Sequence, residues 1–333
     1  MSSFKSYATI LLFFTLLSTL VLTACGDSTN TPVPNSTKIP EVASDTATTK
    51  ATSTGTTVVA TTTTKGATTA STTTGAKATA VPIATTAQAS DKSSTWTINS
   101  KTVDLADSII PQQYLDQARK LKVLFNHQSV GGNILEGLDA LAQKNPTRYT
   151  LTIMNEPETT WFSSNSGVGD FTRGENGDPN SKIDGFKSLI EKDGYGSKVT
   201  VAMMKFCYVD DTNTATARWD TYRQAMTYLE GKYPAVKFVW WTMPLENAGN
   251  KNRDQYNKLV RDYVQANNKI LFDIADIESQ DPSGKAITES GLSAMYGNYT
   301  SDGGHLNETG QQRVASAWWW LMARIAGWNP ATK

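Results

Sequence analysis

Lys122-Val123-Leu124-Phe125-Asn126-His127-Gln128-Ser129-Val130-Gly131-Gly132-Asn133-Ile134-Leu135 changes its rhythm halfway. Lys122 to Phe125 is a short apolar run that reads as a buried strand, and from Val130 to Gln143 the apolar residues Ile134, Leu135, Leu138 and Leu141 recur with the spacing of one helix face. The same alternation repeats. Strand-like runs occupy Tyr149 to Met154, Lys198 to Phe206, Val236 to Thr242 and Lys269 to Ile274. Helical spacing occupies Lys182 to Lys192, Ala215 to Lys232, Asn252 to Ala266 and Glu308 to Ile325. Strands alternating with helices predict an α/β domain, a parallel sheet of five strands covered on both faces. The strands are near-continuous apolar runs, as burial on both faces requires.

In such a sheet the ligand site lies beyond the carboxyl ends of the strands. His127 and Ser129 follow the first strand, and Arg173 to Asp178 lies between the second strand and its helix. Cys207 to Asn213 follows the third, Leu245 to Asn250 the fourth, and Asp302 and His305 come after the fifth. The chain holds two histidines, both in these loops. Asp302-Gly303-Gly304-His305 places a carboxylate three residues before an imidazole, so Asp302 can hold one ring nitrogen while the other faces a nucleophile. Ser129 is the candidate nucleophile. At the amino end of a helix its own N–H and its neighbours can meet an oxyanion. The same position suits a simple helix N-cap.

These segments resemble the SGNH (GDSL-type) hydrolase family over roughly Lys122 to Ala326. Asp302-Gly303-Gly304-His305-Leu306-Asn307-Glu308-Thr309-Gly310 is similar to that family's last block, and Val123-Leu124-Phe125 leading into Ser129 to its first. Arg173-Gly174-Glu175-Asn176-Gly177-Asp178 resembles the second block, whose glycine N–H contributes to the oxyanion hole, with Gly177 the matching residue. The resemblance implies a flavodoxin-like three-layer α/β/α fold and a catalytic triad of Ser129, Asp302 and His305 in an acyl hydrolase. It also has departures. His127-Gln128-Ser129 stands where the family has Gly-Asp-Ser, and Cys207-Tyr208-Val209-Asp210 stands where it has Gly-x-Asn-Asp, so the third-block asparagine is missing. Asn176, Asn133 and Lys205 are the candidates to replace it. His127 is expected to contact substrate or oxyanion, or else to bond a nearby carbonyl. Trp161, Phe162 and Tyr208 are candidate platforms for a sugar ring. Cys207 is expected to be a small buried residue.

The first residues read as targeting. Lys5 precedes an apolar run from Ile10 to Leu22, and Leu22-Thr23-Ala24-Cys25 resembles the lipobox of bacterial lipoproteins. That resemblance implies a signal peptide at 1–24, a lipid on Cys25, and a protein outside the cytoplasm whose only membrane attachment is that anchor. Residues 25–95 are dominated by Thr, Ser and Ala with few large apolar groups, and are expected to be a disordered tether. Residues 96–333 carry all nine tryptophans and form the folded domain. With formal net charge +0 and no basic stripe, nucleic acid is not an expected partner. The two cysteines, Cys25 and Cys207, provide no zinc framework, and no metal or cofactor is expected. A monomeric extracytoplasmic esterase acting on an acylated carbohydrate or a related small ester is the expected function, with acetyl the foremost acyl group. A glycan-binding module without catalysis, or an O-acetyltransferase with the same triad, are the alternatives.

Overall fold

The computed structural model describes residues 96–103 and 109–330, all within the compact unit Ile83–Lys333. The leader at 1–24, Cys25 and the tether at 25–95 lie outside the described residues. Seven strands form one parallel sheet: β1 (Thr97–Ile98), β2 (Lys122–Asn126), β3 (Ile153–Asn155), β4 (Gly167–Phe171), β5 (Val201–Met204), β6 (Lys237–Trp241) and β7 (Ile270–Phe272). Their order is β1-β7-β6-β5-β2-β4-β3, every pairing parallel. Parallel neighbours need long crossovers. Six helices of seven or more described residues are α1 (Gln112–Ala118), α2 (Val130–Lys144), α3 (Pro179–Glu191), α4 (Ala215–Lys232), α5 (Lys251–Asn267) and α6 (Glu308–Ile325).

The period-2 geometry of a strand sends alternate side chains to opposite faces. Val123 and Phe125 of β2, with Val239 and Trp241 of β6, pack in one core with Ile134 and Leu138 of α2 and Trp318 of α6. Leu124, Phe238 and Trp240, which alternate with them along the two strands, pack in a second core with Phe186 of α3, Tyr222 of α4 and Val260 of α5. The fold is therefore the three-layer α/β/α arrangement expected from the sequence rhythm.

Two strands exceed the expected five. β1 has only two residues, too few for a periodic signal. β4, Gly167-Val168-Gly169-Asp170-Phe171, contains two glycines and an aspartate, types depleted in strands. Space dictates those glycines: a Cβ on Gly169 would lie 2.8 Å from the Phe162 ring, and one on Gly167, with φ +127°, only 2.2 Å from the Thr152 carbonyl. The loop from Arg173 to Asp178 consequently follows β4, directly beside β2.

On a helix, Trp318-Trp319-Trp320 covers successive faces, so at least one ring is expected to point away from the core. The structure buries all three. Trp318 meets Phe125 with ring centroids 5.1 Å apart, and Trp319 meets Tyr149 at 5.6 Å. Trp320 is covered by Trp328 at 4.6 Å, because Gly327, at φ +101°, turns the chain back past the helix end.

Glu278 is fully buried, and its Oε2 accepts the Leu245 N–H at 2.7 Å. Burial pushes its carboxyl from 4.5 up to about 8, against the opposing pull of that N–H. Between those two pH values the folded chain keeps a proton that the unfolded chain has released. This contribution to stability is full below pH 4.5 and is lost as pH rises towards 8, by up to about 1.4 kcal/mol per pH unit. Glu278→Gln is expected to flatten the fall, a change that urea unfolding at several pH values between 5 and 9 would measure. An unchanged slope would show that the proton is not held there.

Candidate active site

Ser129 lies between β2 and α2 at φ 50° and ψ −108°, a conformation uncommon for any residue but glycine. Its side chain does not cap the helix. Instead Oγ lies 2.6 Å from His305 Nε2. Three donors converge on the preceding carbonyl: the Gly131 N–H, Lys205 Nζ and Cys207 Sγ are each 3.0 Å from Gln128 O. A trans peptide is planar with its C=O and N–H on opposite sides. Fixing the Gln128 carbonyl inward therefore turns the Ser129 N–H outward, and that N–H donates to no group among the described residues.

The loop before α6 supplies the other two groups. Asp302 Oδ1 accepts the backbone N–H of Gly304 (3.0 Å) and of His305 (2.8 Å), while Oδ2 is 2.6 Å from His305 Nδ1. The Gly304 N–H, followed by the His305 side chain and N–H, holds the Asp302 carboxyl well below the usual carboxylate range. An ionised Asp302 has no hydrogen to give, so Nδ1 carries the hydrogen and Nε2 presents its lone pair to Ser129. Gly303, at φ +95°, permits the turn, and its carbonyl accepts the Asn247 N–H at 3.0 Å. Asn307 caps α6 through Gly310 N–H.

Tyr208 stands over this pair. Its hydroxyl is 3.1 Å from His305 Nδ1 and 3.3 Å from Nε2, near-equal distances that align it with neither ring nitrogen. A Cβ on Gly304 would come within 2.6 Å of the Tyr208 ring, which accounts for the second glycine of the loop. Burial, then the Asp302 charge, pushes the Tyr208 hydroxyl up, so it stays protonated at neutral pH. Arg253 holds the Tyr208 carbonyl at 2.9 Å.

Several expected contacts fall elsewhere. His127 is 5 % exposed, with Nε2 2.8 Å from Asp170 Oδ1 of β4 and its ring against Phe125 at 4.4 Å. A Cβ on Gly131 would lie 2.3 Å from that ring. His127 is thus packed beneath the Ser129 turn and closed off from solvent. Burial, only partly opposed by Asp170, lowers its pKa, so the ring is neutral at pH 7. His127→Ala is expected to lower stability by about 2 kcal/mol and to leave kcat within roughly tenfold. Denaturation and steady-state kinetics would measure both effects, and loss of turnover at unchanged stability would return His127 to the catalytic group.

Lys205 is buried, with its three donors directed to Gln128 O, Phe206 O (3.2 Å) and Cys207 Sγ (3.3 Å), so none faces a substrate. Asn133 likewise ties loops together: Oδ1 accepts the Leu306 N–H (3.2 Å) and Nδ2 donates to Glu136. The Gly177 N–H is engaged by Asp210 Oδ1 at 2.8 Å instead of standing free. Trp161 packs edge-on against Phe162 at 4.8 Å, at the border of the α3 to α5 core, after the edge strand β3. Phe162 is fully buried there and offers no sugar platform, while Cys207 is buried as expected. Asn176 remains exposed, its Oδ1 accepting from Lys182 Nζ at 2.7 Å.

Some supporting residues had no place among the sequence expectations. Lys182, 1 % exposed on α3, is 2.5 Å from the buried Asp210 carboxylate. It is one helical turn before the buried Phe186, a position that periodicity assigns to the core face. Asn126 brackets Arg173, accepting its N–H (2.8 Å) and donating to its carbonyl (3.2 Å). An asparagine ending an apolar strand is the one signal available for that role. Among the described residues no group of three or more His, Cys, Asp and Glu side chains could hold a metal ion.

No family model and no curated protein matches the chain. Solved structures similar to it include an acetyl xylan esterase, at 17 % identity and TM-score 0.38, covering 60 % of this chain and 98 % of the other. A GDSL-like lipase from Bacteroides thetaiotaomicron VPI-5482 has 10 % identity and TM-score 0.39, covering 66 % and 92 %. A carbohydrate esterase family 3 protein from Talaromyces cellulolyticus has 12 % identity and TM-score 0.38, covering 62 % and 96 %. At scores of 0.39 and below the likeness is loose, and residue roles follow from this chain's own geometry.

Proposed function

We propose that the chain is a serine ester hydrolase that removes an acyl group, acetyl foremost, from a carbohydrate outside the cytoplasm. The observation that carries this reading is the continuous line Ser129 Oγ, His305 Nε2, His305 Nδ1, Asp302 Oδ2, with 2.6 Å at each hydrogen bond. Ser129 Oγ adds to the ester carbonyl while its proton passes to His305 Nε2, and the carbonyl oxygen takes the negative charge in front of the Ser129 N–H. As the carbon–oxygen bond breaks, His305 returns the proton to the leaving alcohol. Water then adds to the acyl-Ser129 ester with His305 again as base, releasing the carboxylic acid and restoring the hydroxyl.

The openness of the site supports the proposed substrate class. The side chains of His305 and Asp302 are 44 % and 56 % exposed, which suits an acyl group projecting from a bulky polar molecule better than a long acyl chain needing an apolar channel. A binding module without catalysis would be favoured by a side chain filling the place of the substrate. Here Gln128 Nε2 turns away to the Gly174 carbonyl, and His127 is buried beneath the turn. The lipobox-like Leu22-Thr23-Ala24-Cys25 supports the extracytoplasmic placement and lipid anchorage. Turnover of acetylated mono- and oligosaccharides, with Ser129→Ala as control and a sugar acceptor added in parallel, tests the reading. Acetate release dependent on Ser129 is the expected result, whereas transfer only to the sugar acceptor would make the protein an O-acetyltransferase.

A further inference from the structure

A tetrahedral oxyanion accepts more than one hydrogen bond, and the Ser129 N–H supplies one. The Gly177 N–H is bonded to Asp210, Lys205 to three inward acceptors, and the Asn133 amide to Leu306 and Glu136. Asn176 differs from these. Lys182 has only hydrogens to offer, so its 2.7 Å contact fixes which end of the Asn176 amide is the oxygen. The Nδ2 end is the donor left over, and it donates to no group among the described residues. The loop bearing it is held beside the nucleophile turn, since Gln128 Nε2 donates to the Gly174 carbonyl and Asn126 brackets Arg173. Lys182 is itself held by the Asp210 carboxylate, which also takes the Gly177 and Cys207 N–H groups at 2.8 and 2.6 Å.

We infer that the Ser129 N–H and Asn176 Nδ2 together form the oxyanion hole, each oriented by a buried lysine: Lys205 through the Gln128 carbonyl, Lys182 through Asn176 Oδ1. The inference rests on the ester hydrolase reading. Asn176 is the catalytic donor, and the two lysines are positioning residues. The valine at 209 carries no polar side-chain atom, so in this chain the side-chain donor comes from the loop after β4 instead of the loop after β5.

Asn176→Asp separates the donor from a mere acceptor for Lys182, because a carboxylate keeps the lysine contact and can donate nothing. Its kcat for acetyl ester hydrolysis is expected to fall about 10²-fold or more with KM within about threefold, because the donor acts on charge present only in the transition state. Asn176→Ala is expected to fall as far. Lys205→Met, which keeps a similar volume and removes the lysine donor from the Gln128 carbonyl, is expected to remain folded in the assay yet to lose roughly tenfold or more in kcat. Phosphonylation of Ser129 by a fluorophosphonate, followed by intact mass, reads the same hole without ester turnover. A wild type that is phosphonylated but hydrolyses no ester would overturn the hydrolase reading while the Asn176→Asp phosphonylation rate still decides the hole. Wild-type rates in Asn176→Asp would overturn the donor, and wild-type kcat in Lys205→Met would overturn that lysine's positioning role. A wild type inert in both assays would overturn both readings.

Discussion

Ser129→Ala, His305→Ala and the double variant are expected to share one residual rate, about 10⁴- to 10⁶-fold below that of the intact protein. The expectation comes from the 2.6 Å contact between Ser129 Oγ and His305 Nε2. Without the imidazole, the hydroxyl keeps its proton and is a poor nucleophile. Without the hydroxyl, the imidazole has nothing to activate but water. Each single change therefore removes the same step, and the second change has nothing further to remove. What remains is the contribution of the oxyanion donors, which neither substitution touches. The folded state should be little affected, because the His305 and Asp302 side chains are about half exposed and Ser129 does not cap its helix. Single-turnover acetate release, compared across the four proteins at equal folded fraction, is the measurement. Multiplying rather than converging losses in the double variant would mean that the two side chains act separately. Near-normal turnover of His305→Ala would remove the base from this loop altogether.

The parts of this arrangement legible in sequence are those written in local spacing. Strand and helix alternate because the apolar residues change period, and Asp302 and His305 meet because three residues on a Gly-Gly turn span one hydrogen bond. The histidine count left two candidates for the proposed base, and burial distinguishes them: His127 is sealed under Gly131, His305 is open. The illegible parts depend on contacts between distant segments. Lys182 and Asp210 lie 28 residues apart, and a lysine in a pattern is read as a surface residue until the acid facing it is known. The Gly177 N–H looks free in a loop, yet Asp210 reaches it from 33 residues away. Asn133 fits a substrate contact on a helix start, but its partner is the Leu306 N–H, 173 residues on. β4 went unseen because its glycines serve close packing against Phe162 and Thr152, which erases the strand's own propensity.

Asp302→Asn is expected to lower kcat by about 10⁴-fold while leaving the loop folded. The two carboxylate oxygens have different tasks. Oδ1 takes the Gly304 and His305 N–H groups, and an amide oxygen in that place would keep both bonds. Oδ2 faces His305 Nδ1, and there an NH₂ group would stand in its place. A donor opposite Nδ1 requires an acceptor, so the imidazole hydrogen would move to Nε2. Nε2–H facing Ser129 Oγ cannot take a proton from it, and the nucleophile stays unactivated. The same substitution removes the negative charge that stabilises the imidazolium formed in each step. Because Oδ1 anchors the turn, thermal stability and the Ser129 to His305 distance should be nearly unchanged, which separates this effect from simple disorder of the loop. Raising the pH is expected to restore part of the rate, as hydroxide substitutes for the missing base. Steady-state kinetics across pH with a thermal melt of each protein would check all three statements. An Asp302→Asn variant within tenfold of the wild type at neutral pH would show that the carboxylate holds the turn and does not set the tautomer.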